Sequence, residues 1–115
     1  MFDINNPEVQ FALDAVRQAA KLVKTVQTET AKNALTKGDK SPVTVADFAS
    51  QALVSHMLME RFPEAILVGE EASDALKEEG AEHLLEQVTG YVSRFVREAD
   101  PDTVCLWIDR GAADP

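Results

Sequence analysis

Several features that would place a protein in a particular class are missing from this 115-residue chain. Cys105 is the only cysteine, so no disulfide can form within the chain, and a reducing, cytoplasmic setting is expected. The stretch from Met1 to Pro7 has no basic region followed by an apolar one, so no signal peptide is predicted. There is no apolar run of membrane-spanning length, no internal repeat and no low-complexity tract.

The sequence also lacks an excess of basic charge. It carries 20 acidic and 11 basic side chains and a formal net charge of -9. Such a surface repels nucleic-acid backbones and anionic lipid heads, so neither a nucleic acid polymer nor a membrane is expected as a partner. A phosphate substrate would be repelled too, unless a bound cation reversed the local field. Phosphate chemistry on this chain would therefore need a metal.

What is present is ordinary globular composition, with 45% hydrophobic and 27% charged residues, and the length suits one small domain. The first pattern predicts a helix from about Pro7 to Thr28, with Asn6 as the N-cap and Pro7 at the first helical position. Residues at helical spacing predict one buried face: Val9, Leu13, Val16, Ala20, Val23 and Gln27, widened by Ala12, Ala19 and Val26.

The polar stretch from Lys37 to Pro42 predicts a loop, which ends in a short extended piece at Pro42 to Thr44. A second helix is predicted from about Val45 to Arg61, and Pro63 ends it. Its apolar face consists of Ala46, Ala49, Leu53 and Met57, with Val54 and Leu58 beside them.

Three further segments have a readable pattern. The short apolar run from Ala65 to Gly69, bounded by turn-forming residues, predicts a buried strand. A third helix is predicted from Ala81 to Val96. The segment from Asp102 to Ile108 has the β-branched content of a strand, but a helix is preferred because Asp100, Pro101 and Gly111 suit a cap, a first position and a stop. The third helix has a single apolar face of Ala81, Leu84, Leu85, Val88, Val92 and Phe95.

Thr44 and Asp47 form the first candidate site, and they have capping-box spacing with Asp in the place of Glu or Gln. One interpretation is that Thr44 caps the second helix and Asp47 supports its positive end. The functional interpretation is that Asp47 faces a cleft, where it positions or deprotonates a water molecule.

Gly69, Glu70 and Glu71 form the second candidate site. A strand that delivers two carboxylates to a loop can build a site for Mg²⁺, which prefers oxygen ligands and usually keeps several waters. Gly69 would allow a tight turn there. The alternative is a solvated acidic loop without a ligand.

Other reactive residues are assigned structural roles. The acidic stretch from Asp74 to Glu82 is interpreted as a solvated face. His56 and His83 have no partner at metal-ligand spacing in the sequence, so both are expected to be structural. Cys105 is expected to be a small apolar core residue and Trp107 a packing residue.

In order along the chain, these segments resemble one family. Residues Lys37 to Asp47, the Phe62-Pro63 pair with Val68-Gly69-Glu70-Glu71, and Ile108-Asp109-Arg110-Gly111 resemble blocks of the inositol monophosphatase superfamily, most closely its 3'(2'),5'-bisphosphate nucleotidase branch. The resemblance implies an α+β fold class. The chain would be one partial domain, 1–115, the mainly helical amino-terminal part of the layered α/β sugar-phosphatase fold, with one or two short strands.

The resemblance also implies a function, which is Mg²⁺-dependent hydrolysis of phosphate monoesters on a small phosphorylated metabolite. Glu70 would ligate the metal, and Asp47 would activate the attacking water together with a threonine elsewhere in the family's chain. Glu71, Asp39 and Thr44 would support the site, with Asp39 on the mobile loop over it. Bound metals would lower the pKa of the water and neutralise charge on the phosphoryl oxygens.

The family's strongest motif, Asp-Pro-Ile-Asp-Gly-Thr, is absent. It would supply two more aspartate ligands and the threonine, and no metal role is carried onto Asp109 or Asp114. Since one ligand cannot hold several Mg²⁺ ions tightly, the isolated chain is expected to bind Mg²⁺ weakly or not at all and to be inactive. The missing half would also leave apolar surface exposed, so self-association is expected.

Two alternatives stay open. The nearest enzymatic alternative is an inositol monophosphatase. The rival from another class is a small acidic helical module that binds a protein partner without catalysis, which would leave the ordered series of motifs as coincidence.

Overall fold

The chain folds into a group of packed helices. The computed structural model describes residues 6–32, 42–65, 69 and 71–112. Within these ranges, the mainly helical character is confirmed and no residue belongs to a strand. The helices are α1 (Pro7–Lys32), α2 (Pro42–Arg61), α3 (Asp74–Lys77), α4 (Glu82–Ser93) and α5 (Pro101–Ala112).

Two of the predicted segments fall partly or wholly outside the described residues. The ends of the expected strand, Ala65 and Gly69, are not in a strand, and residues 66–68 between them lie outside the description. The predicted loop, except for its last residue Pro42, lies with Asp39 in the range 33–41, which is also outside the description.

Helix α2 is the centre of the molecule, because α1, α4 and α5 all pack against it. A helix that contacts neighbours on several sides needs apolar residues around most of its circumference. Accordingly Ala46, Ala49 and Leu53 are buried on the predicted face, and Phe48 and Ala52 are buried beyond it. The predicted face of α2 is therefore confirmed, although the buried surface is wider than expected.

The start of α2 differs from the prediction. Pro42 to Thr44 is helical rather than extended, and the helix begins at Pro42 instead of Val45. Proline suits the first turn of a helix because its missing N–H would have no partner there and its φ is already helical. Thr44 consequently lies inside the first turn of α2, and the prediction that it caps this helix is wrong.

Helix α1 begins as predicted. The side-chain oxygen of Asn6 accepts a hydrogen bond from the backbone N–H of Glu8 at 2.7 Å, which satisfies one of the donors left unpaired at a helix start. The helix then continues to Lys32, beyond the predicted end at Thr28.

The predicted buried face of α1 is confirmed only in part: Val26 is fully buried and Val23 packs against the core, whereas much of the stripe faces solvent. Of that stripe, Leu13 and Val16 are 43% and 68% exposed, and Ala20 and Gln27 are exposed as well. The buried residues follow a second stripe at helical spacing: Phe11, Ala15, Leu22 and Val26. Both stripes are apolar, and the one with the larger Phe11 and Leu22 side chains faces the core, which leaves an apolar face of α1 uncovered.

Helix α4 has the predicted apolar face but is shorter than predicted. Leu84, Val88 and Val92 are buried, and the helix begins at Glu82 and ends at Ser93. The next residue, Arg94, pairs with Glu29 of α1 through both of its terminal nitrogens. This hydrogen-bonded pair raises the pKa of Arg94.

Helix α5 confirms the preferred interpretation of the last segment. The Asp100 carboxylate accepts the backbone N–H of Thr103 at 2.8 Å, and the Thr103 hydroxyl accepts the N–H of Asp100 at 2.9 Å. Hydrogen bonding of the Asp100 carboxylate to the backbone and side chain of Thr103 lowers the pKa of Asp100. The helix runs through Gly111 to Ala112, so the predicted stop at Gly111 is wrong.

The core around α5 contains the two residues expected there. Cys105 and Trp107 are 7% and 4% exposed and belong to the main hydrophobic cluster, which confirms their packing roles. Burial raises the pKa of the Cys105 thiol.

Within the acidic stretch from Asp74 to Glu82, Asp74 and Glu79 are exposed as expected, but Leu76 of α3 is buried against the core. None of the helices described here is both long and apolar enough to cross a membrane.

Candidate functional site

The loop that follows α2 is held by one side chain of that helix, Gln51. Its amide nitrogen donates to the carbonyl oxygen of Glu71 and to that of Ile108, each at 2.8 Å. Its amide oxygen accepts the backbone N–H of Glu71 at 3.1 Å. A single carboxamide therefore satisfies both backbone groups of Glu71 and joins the loop to the carboxyl-terminal turn of α5.

Gly69 lies against the same carboxamide. A Cβ atom at this position would lie 2.4 Å from the Gln51 amide oxygen and 2.5 Å from its amide carbon. Such distances are far below van der Waals contact, so only glycine fits while Gln51 keeps its hydrogen bonds. The sequence predicts a tight turn at Gly69, whereas the structure shows a close approach of the backbone to a side chain.

Asp109, from the carboxyl-terminal half of α5, holds the next part of the loop. Its two carboxylate oxygens accept the backbone N–H of Ser73 at 2.8 Å and the Ser73 hydroxyl at 2.6 Å. Lys77 lies 4.0 Å from the same carboxylate. Burial alone would raise the pKa of Asp109, but the Ser73 hydrogen bonds and the Lys77 charge outweigh it and lower the pKa below its ordinary value.

The start of the loop is held by Arg110. Its guanidinium donates to the carbonyl oxygen of Pro63 at 2.7 Å and, more weakly, to that of Ala65 at 3.4 Å. Asp109 and Arg110 thus bind the loop between Pro63 and Ser73 directly, and Ile108 is joined to it through Gln51. Two blocks that are far apart in the sequence, and that both carried the family resemblance, are in direct contact.

Asp47 lies on α2 four residues before Gln51. Residues at this spacing are neighbours on one helix face, with Cβ atoms about 5–6 Å apart. Asp47 is exposed, whereas Gln51 is half-buried under the loop. The exposed carboxylate of Asp47 therefore lies beside the side chain that contacts the residues on both sides of Glu70.

The predicted site residues divide into two groups. Asp47, Glu71 and Thr44 are described, and both Glu71 and Thr44 are half-buried. Glu70 and Asp39 lie outside the described residues, so the convergence of Asp47 and Glu70 on one ion stays a prediction. The donor chemistry that is described suits Mg²⁺, because carboxylate and backbone carbonyl oxygens are the ligands that hard cations prefer.

Sequence reasoning missed three residues that build this site: Gln51, Asp109 and Arg110. Their partners lie between 20 and 57 positions away in the chain, so no local spacing could reveal the contacts.

A second cluster of side chains was not predicted from the sequence either. His56 was expected to have no partner at metal-ligand spacing, but it lies 3.6 Å from Glu60, and a ligand atom of Glu98 is close to both. The i to i+4 spacing of His56 and Glu60 was the available signal.

Comparison with known proteins supports the family resemblance. A 3'(2'),5'-bisphosphate nucleotidase of Oryza sativa is 41% identical over 107 residues, which is 90% of this chain. Another from Schizosaccharomyces pombe is 49% identical over 76 residues, or 62% of the chain, and nucleotidase 1 of Candida albicans is 40% identical over 95 residues, or 79% of it. This chain is similar to bisphosphate nucleotidases over most of its length.

The similarity to bisphosphate nucleotidases is confined to a part of those enzymes. The chain spans 29% of the Oryza sativa relative, 26% of the Candida albicans relative and 22% of the Schizosaccharomyces pombe relative. No protein-family model and no solved structure matches the chain. The comparisons therefore support a phosphatase family.

Proposed function

We propose that this chain is the amino-terminal part of a Mg²⁺-dependent phosphomonoesterase of the inositol monophosphatase superfamily, in its 3'(2'),5'-bisphosphate nucleotidase branch. The observation that carries the proposal is the way in which Gln51, Asp109 and Arg110 hold the loop between Pro63 and Ser73, which is called the braced loop below. Gln51 binds the backbone of Glu71 and contacts Gly69, and it stands one helical turn from Asp47. The proposed reaction, hydrolysis of a phosphate monoester, follows from the similarity to nucleotidases over up to 90% of the chain.

In this proposal each acid has a separate role. Glu70 ligates Mg²⁺, and Asp47 orients and deprotonates the attacking water. Gln51 fixes the backbone of Glu71, the next residue in the chain, and Thr44 and Asp39 support the site. Bound Mg²⁺ would supply charge neutralisation at the phosphoryl group, which a chain of net charge -9 needs in order to accept an anionic substrate.

Asp109 has no place among the metal ligands in this proposal. Both of its oxygens accept hydrogen bonds from Ser73, at 2.8 and 2.6 Å, and Lys77 lies 4.0 Å from the same carboxylate, so a cation would have to compete with these partners. Its role is to fix the loop from the α5 side.

The substrate is proposed to be a small phosphorylated metabolite of the nucleoside bisphosphate type, hydrolysed in the cytoplasm. The chain would form a single partial domain, 1–115, of the layered α/β sugar-phosphatase fold. By itself it would bind Mg²⁺ weakly and release no phosphate, because several carboxylates must converge to replace the waters of each ion.

A chimeric enzyme tests the proposal. Residues of this chain would replace the aligned 107-residue segment of the Oryza sativa nucleotidase, and phosphate release from 3'-phosphoadenosine 5'-phosphate would be measured with Mg²⁺. We expect an active chimera, in which Asp47→Asn and Glu70→Gln each lower kcat by about a hundredfold or more. Inositol monophosphate in the same assay tests the alternative substrate class.

The matched control is Glu79→Gln, which removes an exposed acid outside the braced loop and should leave kcat unchanged. A chimera that folds but keeps its activity after both Asp47 and Glu70 are substituted would disprove the assigned roles. An inactive chimera with native-like unfolding would show that this chain does not carry the family's site.

The alternative of a protein-binding module is favoured by one observation, the uncovered apolar face of α1 with Leu13 and Val16 exposed. That face lies on α1, whereas the braced loop lies between α2 and α5. A chimera without activity, together with tight binding of a partner to α1, would support this alternative.

A further inference from the structure

A second group of potential metal ligands lies at the other end of α2 from Asp47. His56 and Glu60 come from α2, and Glu98 comes from the connection between α4 and α5. One ligand atom from each lies within 4.8 Å of the other two. A four-coordinate Zn²⁺ with bonds of about 2.0–2.1 Å needs its ligand atoms about 3.4 Å apart, so closing this group takes shifts of about an ångström.

The imidazole of His56 is held in place, while the two carboxylates can adjust. The His56 side chain is only 12% exposed, and its ring centroid lies 4.5 Å from that of Trp107, which is itself 4% exposed. The Glu60 side chain is 62% exposed and Glu98 is exposed as well, so both can rotate towards an ion. One fixed nitrogen and two adjustable oxygens form a partly preorganised donor set.

The space and the charge around this group also suit a cation. A cavity of about 370 Å³ opens over it and is lined by His56, Glu60 and Glu98 together with Asp14, Arg61 and Arg97. Arg61 is engaged by Asp14 at 3.1 Å, which leaves Arg97 as the cation that most opposes binding. The cavity lining has three carboxylates (Asp14, Glu60 and Glu98) and two guanidinium groups, so its net charge is negative when His56 is neutral.

The hydrogen bonding of His56 also favours a bound ion. Among the residues that the structure describes, its buried Nδ1 atom has no hydrogen-bond partner, and its Nε2 atom lies 3.6 Å from the Glu60 carboxylate, beyond a good hydrogen bond. Buried polar atoms in folded proteins usually have a partner. The imidazole is therefore incompletely satisfied by the protein.

We propose that His56, Glu60 and Glu98 bind one divalent transition-metal ion of the Zn²⁺ or Co²⁺ class, at a site separate from the Mg²⁺ site proposed above. An imidazole nitrogen with two carboxylates favours such ions, whereas Mg²⁺ prefers oxygen donors alone. Three protein ligands leave at least one position of the ion open to water or to a small anion.

Co²⁺ titration of the 115-residue chain, with millimolar Mg²⁺ present throughout, tests the proposal. The chain has two histidines, so His83, which is exposed on α4, serves as an internal reference in proton NMR spectra. We expect Co²⁺ to shift and broaden the His56 imidazole signals before those of His83. Glu60→Gln and Glu98→Gln should each weaken Co²⁺ binding by about tenfold or more, by analogy with other losses around metal sites.

Glu86→Gln is the matched control, because it removes an exposed acid of α4 outside the cavity, and it should leave the affinity unchanged. Circular dichroism of each variant would establish that the fold is retained. Equal broadening of His56 and His83, or unchanged binding in the Glu60→Gln and Glu98→Gln variants, would overturn the proposal. Asp47→Asn should not affect Co²⁺ binding, so the outcome is independent of the proposed phosphatase function.

Discussion

At the scale of single residues, the loop that follows α2 depends on the carboxamide of Gln51. This group makes three hydrogen bonds to backbone atoms of two distant segments and excludes any side chain at position 69. An acid on a loop can act as a metal ligand only if the loop is held still, because binding otherwise costs the entropy of ordering it. Gln51 and Gly69 should therefore be coupled energetically.

Gly69→Ala is the first test of that coupling. Its Cβ would displace the Gln51 carboxamide and break hydrogen bonds that are worth about 1 kcal/mol each, so we expect a loss of about 1–3 kcal/mol in the free energy of unfolding. Gly90→Ala is the matched control, because nothing lies within 4 Å of a Cβ there and alanine favours a helix by about 0.5–1 kcal/mol. Urea denaturation measures both.

The double variant Gln51→Ala/Gly69→Ala completes the cycle. With the carboxamide gone, the added methyl group has nothing to displace, so the cost of Gly69→Ala should largely disappear in this background. Additive losses from the two substitutions would mean that the contact between them does not limit the loop.

Asp109 makes stability depend on pH. Because its pKa is lowered in the folded state, its contribution is fully present above the ordinary value of 3.8 and is lost as the pH falls through the lower folded value. We expect Asp109→Asn to flatten the decline of the thermal unfolding midpoint below pH 3.8. Superimposable midpoint-versus-pH curves for the two proteins would contradict this role of Asp109.

At the scale of elements, the positions of the longer helices could be predicted from the sequence. The face that a helix buries could not always be predicted. Caps and periodicity located α1, α2, α4 and α5 because those signals act within one or two turns. On α1, however, two stripes of similar hydrophobicity compete, and only packing against α2 decides that Phe11 and Leu22 are buried instead of Leu13 and Val16. Local patterns cannot settle a choice that tertiary contacts make.

The N-cap of α1 gives a prediction at this scale. Asn6→Ala removes the acceptor for the Glu8 N–H, and we expect a loss of about 1 kcal/mol in the free energy of unfolding. Asn6→Asp keeps an acceptor at the same position and should retain nearly full stability. If the Ala and Asp variants unfold at the same urea concentration, the observed hydrogen bond does not stabilise the helix.

The same distinction holds for the candidate site. The residue types at positions 47, 70 and 71 and their order could be recognised from the sequence, because motifs are local. The bracing of the loop by Gln51, Asp109 and Arg110 could not, since it joins α2, the loop and α5 across the fold. The pair of His56 and Glu60 was local, and it was overlooked because Glu98, which completes the group, is distant in the chain.

At the scale of the whole molecule, the uncovered stripe of α1 is the most informative feature. Val16 is 68% exposed and Leu13 is 43% exposed on a long helix whose opposite face is buried. The chain spans no more than 29% of the length of the nucleotidases compared above, so a larger fold would offer surface to cover this stripe. A chain by itself must leave the stripe in water or cover it with a second copy.

Self-association is therefore predicted to depend on α1. Val16→Glu places a charge in the centre of the apolar stripe, and we expect it to shift the sedimentation velocity profile towards the monomer. Thr28→Glu adds the same charge to an exposed polar position of α1 and should leave the profile unchanged. A wild-type chain that sediments as a monomer at high concentration would contradict the prediction directly.

The central claim, that Asp47 and the loop around Glu70 share one divalent cation, is tested most directly by Mn²⁺ as a paramagnetic substitute for Mg²⁺. In backbone NMR spectra of the chain, which binds the ion weakly, we predict that the amide signals of Asp47, Gly69 and Glu71 broaden together as Mn²⁺ is added, before those of Glu78 and Glu79. Glu70→Gln should abolish this broadening. If the signals of the exposed acids Glu78 and Glu79 broaden just as early, or if Asp47 and Glu71 respond independently, the shared site does not exist.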